Sequence, residues 1–148
     1  MTPEVVEIEA GTVLAAVGIA RQRGEIPGLI PQLLDRVWAQ IRGTNVEGTG
    51  HNVVIYRNGG TQLTAGVQVP DDTPEPPAPL VLAGIPAGRA AHVRHFGPYS
   101  KIPESMQRLF GWCAEHGHAV VEPTWEVYAD WDEDESKLVT DLYVAVTS

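Results

Sequence analysis

The chain has 148 residues, nineteen Asp and Glu against ten Lys and Arg, and a formal net charge of −9. Hydrophobic residues make up 43% and charged residues 20%, which is enough apolar material for one buried core and excludes a disordered chain. The length fits one domain or one duplicated unit, and the acidity argues against a nucleic-acid binder, which needs a basic footprint.

The first residues, MTPEVVEIEAG, carry no basic segment followed by an apolar run, so they do not read as a signal peptide. No later stretch reaches the length of a membrane span. A cytoplasmic protein without membrane contact is expected. Residues 12–20, TVLAAVGIA, read as an apolar strand. Over 28–42, Ile30, Leu33, Leu34, Val37, Trp38 and Ile41 recur at helical spacing, and Pro31 suits the first turn. A strand over 52–57 meets Asn58-Gly59-Gly60, a tight-hairpin signal, and its partner runs over 61–69. The stretch 70–79, PDDTPEPPAP, fits neither a helix nor a central strand and reads as a surface connection.

The second half follows the same order. A strand over 89–96 leads through Gly97-Pro98-Tyr99 into a helix from about Pro103 to His116. Its apolar stripe is Met106, Leu109, Phe110 and Cys113, with Gly117 as the C-terminal cap. Cys113 is the only cysteine. It therefore forms no intrachain disulfide, fits a reducing compartment, and reads as inert core. Strands over 123–131 and 138–146 flank an acidic run, Asp130, Asp132, Glu133, Asp134 and Glu135, which reads as a solvated turn.

Short matches link the halves at a nearly constant offset. Ile8-x-Ala10-Gly11 recurs as Ile85-x-Ala87-Gly88, and Ile26-Pro27 as Ile102-Pro103. Leu33, Leu34 and Val37 recur as Leu109, Phe110 and Cys113, and Tyr56 in VVIY answers Tyr128 in WEVY. Their shared order points to an internal duplication, with half-repeats 4–69 and 80–147 inside one domain over 1–148. The expected fold class is α+β. Two strand-helix-strand-strand units form one antiparallel sheet with both helices on one face. The other face is then free to form a groove along a pseudo-twofold axis.

The most informative residue is Glu126. Strand alternation puts Trp125, Val127, Ala129 and Trp131 on one face, which reads as packed under the helices. Glu126 then shares the other face with Thr124 and Tyr128. Its counterpart in the first half is Val54, so only one half carries the acid. A carboxylate in an aromatic groove has its charged form disfavoured by desolvation, and such a group binds a cation or serves as an acid or base. The plain alternative is a solvated glutamate on an exposed face. Trp112 lies off the core stripe and either flanks the groove or packs at the helix edge.

Other chemistries find little support. His92 and His95 are three apart on a strand and so face opposite ways. Cys113, His116 and His118 have no second cluster to complete a tetrahedral site. No metal or cofactor is expected. There is no G-x-S-x-G elbow, and GIPAGR lacks the spacing of a phosphate loop.

His95-Phe96-Gly97-Pro98-Tyr99, the helix carrying Trp112, and Pro123-Thr124-Trp125-Glu126-Val127-Tyr128 resemble the GyrI-like effector-binding family. That family's second-half pattern is H-x-G-x-Y, a helix, then P-x-x-E-x-Y and a final strand. The resemblance covers about residues 4–147, with the specific motifs in 85–146. The family includes ligand-binding domains of multidrug-responsive regulators of the MerR and AraC types. The resemblance implies an aromatic-lined groove between two strand-helix-strand-strand units. It maps the family's groove acid onto Glu126 and the tyrosine of H-x-G-x-Y onto Tyr99. It also implies ligands that are bulky cationic or aromatic compounds.

The ligand module occupies the whole length, so a stand-alone member without a DNA-binding domain is expected. The leading expectation is a small-molecule-binding protein in which Glu126 meets a cationic or hydrogen-bonding group. Tyr99, Tyr128 and Trp112 would stack on the ligand. The second is a hydrolase of strained, cyclopropane-containing electrophiles, with Glu126 as general base and Tyr99 or Tyr128 orienting the substrate or donating a proton. The third is an acidic inhibitor of DNA gyrase, acting through a surface that includes the 130–135 turn.

Overall fold

The computed structural model describes residues 2–44 and 46–147. Strands β1 (Glu4–Ile8) and β2 (Gly11–Ile19) precede helix α1 (Ile26–Arg42), β3 (Asn52–Arg57) and β4 (Gln62–Val69). Strands β5 (Val81–Ile85) and β6 (Gly88–Phe96) precede α2 (Ile102–Glu115), β7 (Val120–Tyr128) and β8 (Val139–Val146). The predicted strands and helices are present with ends moved by up to three residues, and β1 and β5 are additional. Each of these two strands is five residues long, too short to show a period.

Local chemistry sets the element ends. Pro27 and Pro103 open the two helices, where a missing N–H breaks no helical bond. Because α1 starts at Ile26, Pro31 falls inside the helix and not in its first turn as the sequence predicts. The bond it forgoes is the one to the Pro27 carbonyl, still within the opening turns. Asn58, Gly59 and Gly60 take φ of 54°, 68° and 90°, the left-handed conformation that a tight β3–β4 connection needs. The Glu122 carboxylate on β7 accepts the backbone N–H groups of Asn58 (3.1 Å) and Gly59 (2.9 Å), tying this turn to the neighbouring strand. In the acidic turn, Asp132 and Asp134 accept backbone N–H groups of their own loop.

The eight strands form one antiparallel sheet in the order β1-β6-β8-β7-β3-β4-β2-β5. The two halves meet at β3 and β7. Their outermost strands are exchanged: β1 lies on β6, and β5 lies on β2.

That exchange forces the sheet to curl. Strands β1 and β2 lie six strand spacings apart in the order, about 29 Å in a flat sheet. Yet only Glu9 and Ala10 join them, a reach of roughly 11 Å between Ile8 and Gly11. Pro86 and Ala87 impose the same limit on β5 and β6. The register agrees. Glu4 faces His92 and Ile8 faces Gly88 in one ladder, while Gly11 faces Ile85 and Ala15 faces Val81 in the other. One continuous register therefore runs through both ladders, interrupted only at the two bends.

The curl turns the helix-free face inward, where Val13, Ala15, Val53, Ile55 and Trp125 are buried together. That face is filled by its own side chains and is not the free groove face that the sequence predicts. The outer face carries the helices. Leu33, Val37 and Ile41 of α1 pack on Leu14, Val54, Leu63 and Val67. Leu109 and Cys113 of α2 pack on Ala91, Leu142 and Val144. Phe110, expected in the α2 stripe, is exposed.

The face assignment on β7 is thereby reversed. Trp125 and Val127 belong to the inner core and not under the helices. Ala129 and Trp131 lie beyond the end of β7, and Trp131 is exposed. Glu126 and Tyr128 are on the helix side.

Close approach of β2 and β4 depends on Gly66, which pairs with Ala15 and Val53. A Cβ at this position would overlap the Leu14 carbonyl oxygen, which is backbone and cannot rotate away. Gly66→Ala should destabilise the fold by about 2 kcal/mol or more, read as a lowered denaturant midpoint. An unchanged midpoint would contradict this packing.

Candidate functional site

Six strands contribute one row of side chains to the helix-covered face. Strand pairing sets Val93 beside Leu142, Leu142 beside Glu126, Glu126 beside Val54, Val54 beside Ala65, and Ala65 beside Ala16. Glu126 is the only polar member. Val54 belongs to the cluster under α1 and Leu142 to the cluster under α2. Glu126 therefore stands at the seam between the two helices, where the two halves of the sheet join. It is 5% exposed.

Two phenols brace it. The Tyr128 hydroxyl donates to Glu126 Oε1 at 2.5 Å, and the Tyr56 hydroxyl donates to the same oxygen at 3.1 Å. Tyr56 on β3 and Tyr128 on β7 are the matched tyrosines of VVIY and WEVY, and they approach one carboxylate from opposite sides. Tyr56 is the site residue that sequence reasoning missed. The repeat match held the signal, since the partner of one groove tyrosine is a candidate for the same groove.

The electrostatics are one-sided. Burial pushes the Glu126 carboxyl above the usual carboxylate range, while hydrogen bonds from Tyr128 and Tyr56 pull it back. Burial, and then the neighbouring carboxylate, push both phenols well above their ordinary range, so they remain donors. Among the described residues no ion pair involves Glu126. A buried carboxylate that lacks a cation keeps most of its desolvation cost.

Tyr99 joins the group from the loop before α2. Its ring meets Tyr128 edge-on, with centroids 5.3 Å apart. Burial raises its phenol as well. Tyr128 packs against both helix clusters, and so links the two sides of the seam. Trp112 packs in the α2 cluster, and its indole stacks on His116 (4.5 Å) and His118 (5.3 Å). On the α1 side, Trp38 Nε1 donates to Asn52 Oδ1 at 3.0 Å, and Asn52 is the β3 neighbour of Tyr128. The structure thus brings Glu126, Tyr128 and Tyr99 into direct succession and places Trp112 in the same helix cluster.

Among the described residues, no group of three or more His, Cys, Asp or Glu side chains is gathered for a metal ion. His92 and His95 do face opposite ways. His92 lies 2.7 Å from Asp141 on the inner-face side, and His95 faces the helices. Two surface cavities lie elsewhere. One of about 780 Å³ separates the end of α1 from the Pro-rich connection, and one of about 540 Å³ sits at the Pro86–Gly88 bend. Glu126 lines neither. Among the described residues no helix is long and apolar enough to cross a membrane.

The sequence matches the family model for the GyrI-like small molecule binding domain over residues 1–147. No curated protein matches it. Among solved structures, the EcmrR C-terminal domain is similar with a TM-score of 0.81 at 18% identity, covering 99% of this chain and 97% of that one. SAV2435 bound to tetraphenylphosphonium gives 0.70 at 18% identity, covering 99% and 94%. A hydrolase from Listeria innocua gives 0.64 at 14% identity, covering 98% and 91%. At these identities the likeness is one of fold.

The raised Glu126 carboxyl carries a signed consequence. It holds its proton more tightly folded than unfolded, so protonation favours the folded chain. That contribution is complete below the unfolded carboxyl's range, about pH 4.3, and is lost as pH rises through the folded value. Without ligand, wild type should lose thermal stability relative to Glu126→Gln as pH rises above about 4.3. A difference in melting temperature that is flat over this range would refute the shift.

Proposed function

This chain belongs to the GyrI-like small molecule binding domain family, and we propose that it binds bulky lipophilic cations at the seam between α1 and α2. The observation that carries this reading is the Glu126 carboxylate, buried without a cationic partner and braced by two phenols on a single oxygen. A cation that enters the seam supplies the missing countercharge and relieves part of the desolvation cost. A lipophilic cation suits this role best, because its charge is weakly hydrated and its apolar shell replaces water on the walls. The ring faces of Tyr128 and Tyr99 would each be worth about 0.5–2 kcal/mol to a cation in a dry site. Trp112 and Trp38 extend the aromatic walls toward the two helices. The complex of the structural relative SAV2435 with tetraphenylphosphonium, a cation of this chemistry, supports the choice of probe.

Glu126 also fits a second reading, as the general base of a hydrolase. Both phenols donate to Oε1, which leaves Oε2 for a water, and a raised carboxyl is a better base than an exposed one. A relative of the same fold is a hydrolase. Turnover separates the two readings. Mass spectrometry of a strained electrophile incubated with the protein should show a water adduct with wild type and none with Glu126→Gln if the base is real.

Tetraphenylphosphonium should raise the melting temperature of the wild-type protein in proportion to its occupancy. In calorimetric titration, Glu126→Gln should bind it about tenfold or more weakly, and Tyr56→Phe less weakly than that. Equal affinity in wild type and Glu126→Gln would remove Glu126 from recognition.

A further inference from the structure

The loop before α2 is fastened with unusual care for a surface segment. Its anchor is His95, on β6 and 6% exposed. His95 Nε2 lies 3.1 Å from the Pro98 carbonyl oxygen, and Nδ1 lies 2.7 Å from Ser105 Oγ. A carbonyl can only accept, so Nε2 carries a proton; in the neutral ring Nδ1 is then bare and accepts the Ser105 hydroxyl proton. One ring thus ties β6 to the loop and to the fourth residue of α2.

The rest of the loop is pinned around it. The Pro98 carbonyl also accepts the Lys101 N–H at 3.0 Å, and the Gly97 N–H donates to the Leu138 carbonyl at 2.9 Å. Gly97 has φ of 117°, open to glycine and strained for other residues. The next residue after these anchors is Tyr99.

The strand register shows what the latch serves. His95 faces Thr140 across β6 and β8, and Thr140 faces Tyr128 across β8 and β7. His95 and Tyr128 are thus two strands apart on the same face, about 10 Å. The Thr140 hydroxyl between them is fully buried, and among the described residues it has no hydrogen-bond partner and no polar link runs through β8. The connection runs over it, through Pro98 and Tyr99 to the Tyr128 ring.

We propose that His95 is a positioning residue whose two hydrogen bonds hold Tyr99 against Tyr128, the phenol that braces Glu126. The ligand reading above enters only the binding half of its test. Its structural half stands without any ligand.

Ring-to-ring cross-peaks in nuclear Overhauser spectra should connect Tyr99 with Tyr128 in the wild-type protein. In His95→Ala these should vanish, while those between the stacked rings of Trp125 and Tyr143, 5.1 Å apart, persist. Where His95→Ala fails to fold, Ser105→Ala removes only the helix-side bond and should weaken the same cross-peaks. In titrations with tetraphenylphosphonium, His95→Ala and Tyr99→Ala should each weaken binding about three- to tenfold, the size of one aromatic contact. The double variant should be no weaker than Tyr99→Ala alone, because both changes remove the same wall. A purely structural histidine would give losses that multiply. Persistent Tyr99–Tyr128 cross-peaks, or multiplying losses, would overturn the proposal. If the phosphonium binds no variant and not the wild type, the ligand reading falls, and the cross-peaks still decide the latch.

Discussion

Two-residue links join strands that lie six spacings apart, and this limit of reach organises the molecule. The sheet must curl until its ends meet, so one face becomes an interior and closes over Val13, Val53, Ile55 and Trp125. These side chains pack against one another, and a cavity of about 540 Å³ opens at the end of this face beside Trp125 and Ala145. The helices are confined to the convex face, one over each half. Where the halves join, between β3 and β7, Glu126 stands between the cluster under α1 and the cluster under α2. That seam follows from the pairing of β3 with β7, which sets the two halves and their helices side by side.

Glu126 sits in the seam as one charge in a row of aliphatic side chains. Its environment holds two opposed effects. Burial raises the carboxyl, and two phenol donors lower it again. The phenols satisfy one oxygen and bring no positive charge, so they ease the cost of burial without cancelling it. On the proposed reading this is functional. A site neutralised by its own lysine or arginine would have no reason to favour a cation, whereas phenols orient the carboxylate and leave its charge unmatched. Stability without ligand is then traded for affinity with it, which is common where recognition needs a buried charge.

Much of the architecture was legible locally. Helical spacing marked α1 and α2, prolines marked their starts, and Asn58-Gly59-Gly60 marked the β3–β4 connection. Glu126 was legible as the odd residue on an apolar strand. The face of β7 was not. Alternation separates Trp125 and Val127 from Glu126 and Tyr128, but it does not say which set meets the helices. Both sets are largely covered in the structure, one by the curl and one by the helices. In a flat sheet only one face is covered, and the apolar set would then meet the helices. The short strands β1 and β5 were missed for a related reason: their partners are distant in sequence, and five residues carry too little pattern to reveal them. Tyr56 escaped as a site residue because its approach to Glu126 is diagonal across two strands from opposite halves.

By itself the sequence determined the order of the two helices and the six longer strands, the short matches between the halves, the family motifs and the one acid worth attention. Those depend on spacing, turn chemistry and residue type, which act over a few positions along the chain. The tertiary structure alone decided which face is sealed, where the seam lies, and that two tyrosines from opposite halves share one carboxylate oxygen. Those depend on chain reach between distant strands and on the curl it imposes, and no window of sequence contains either.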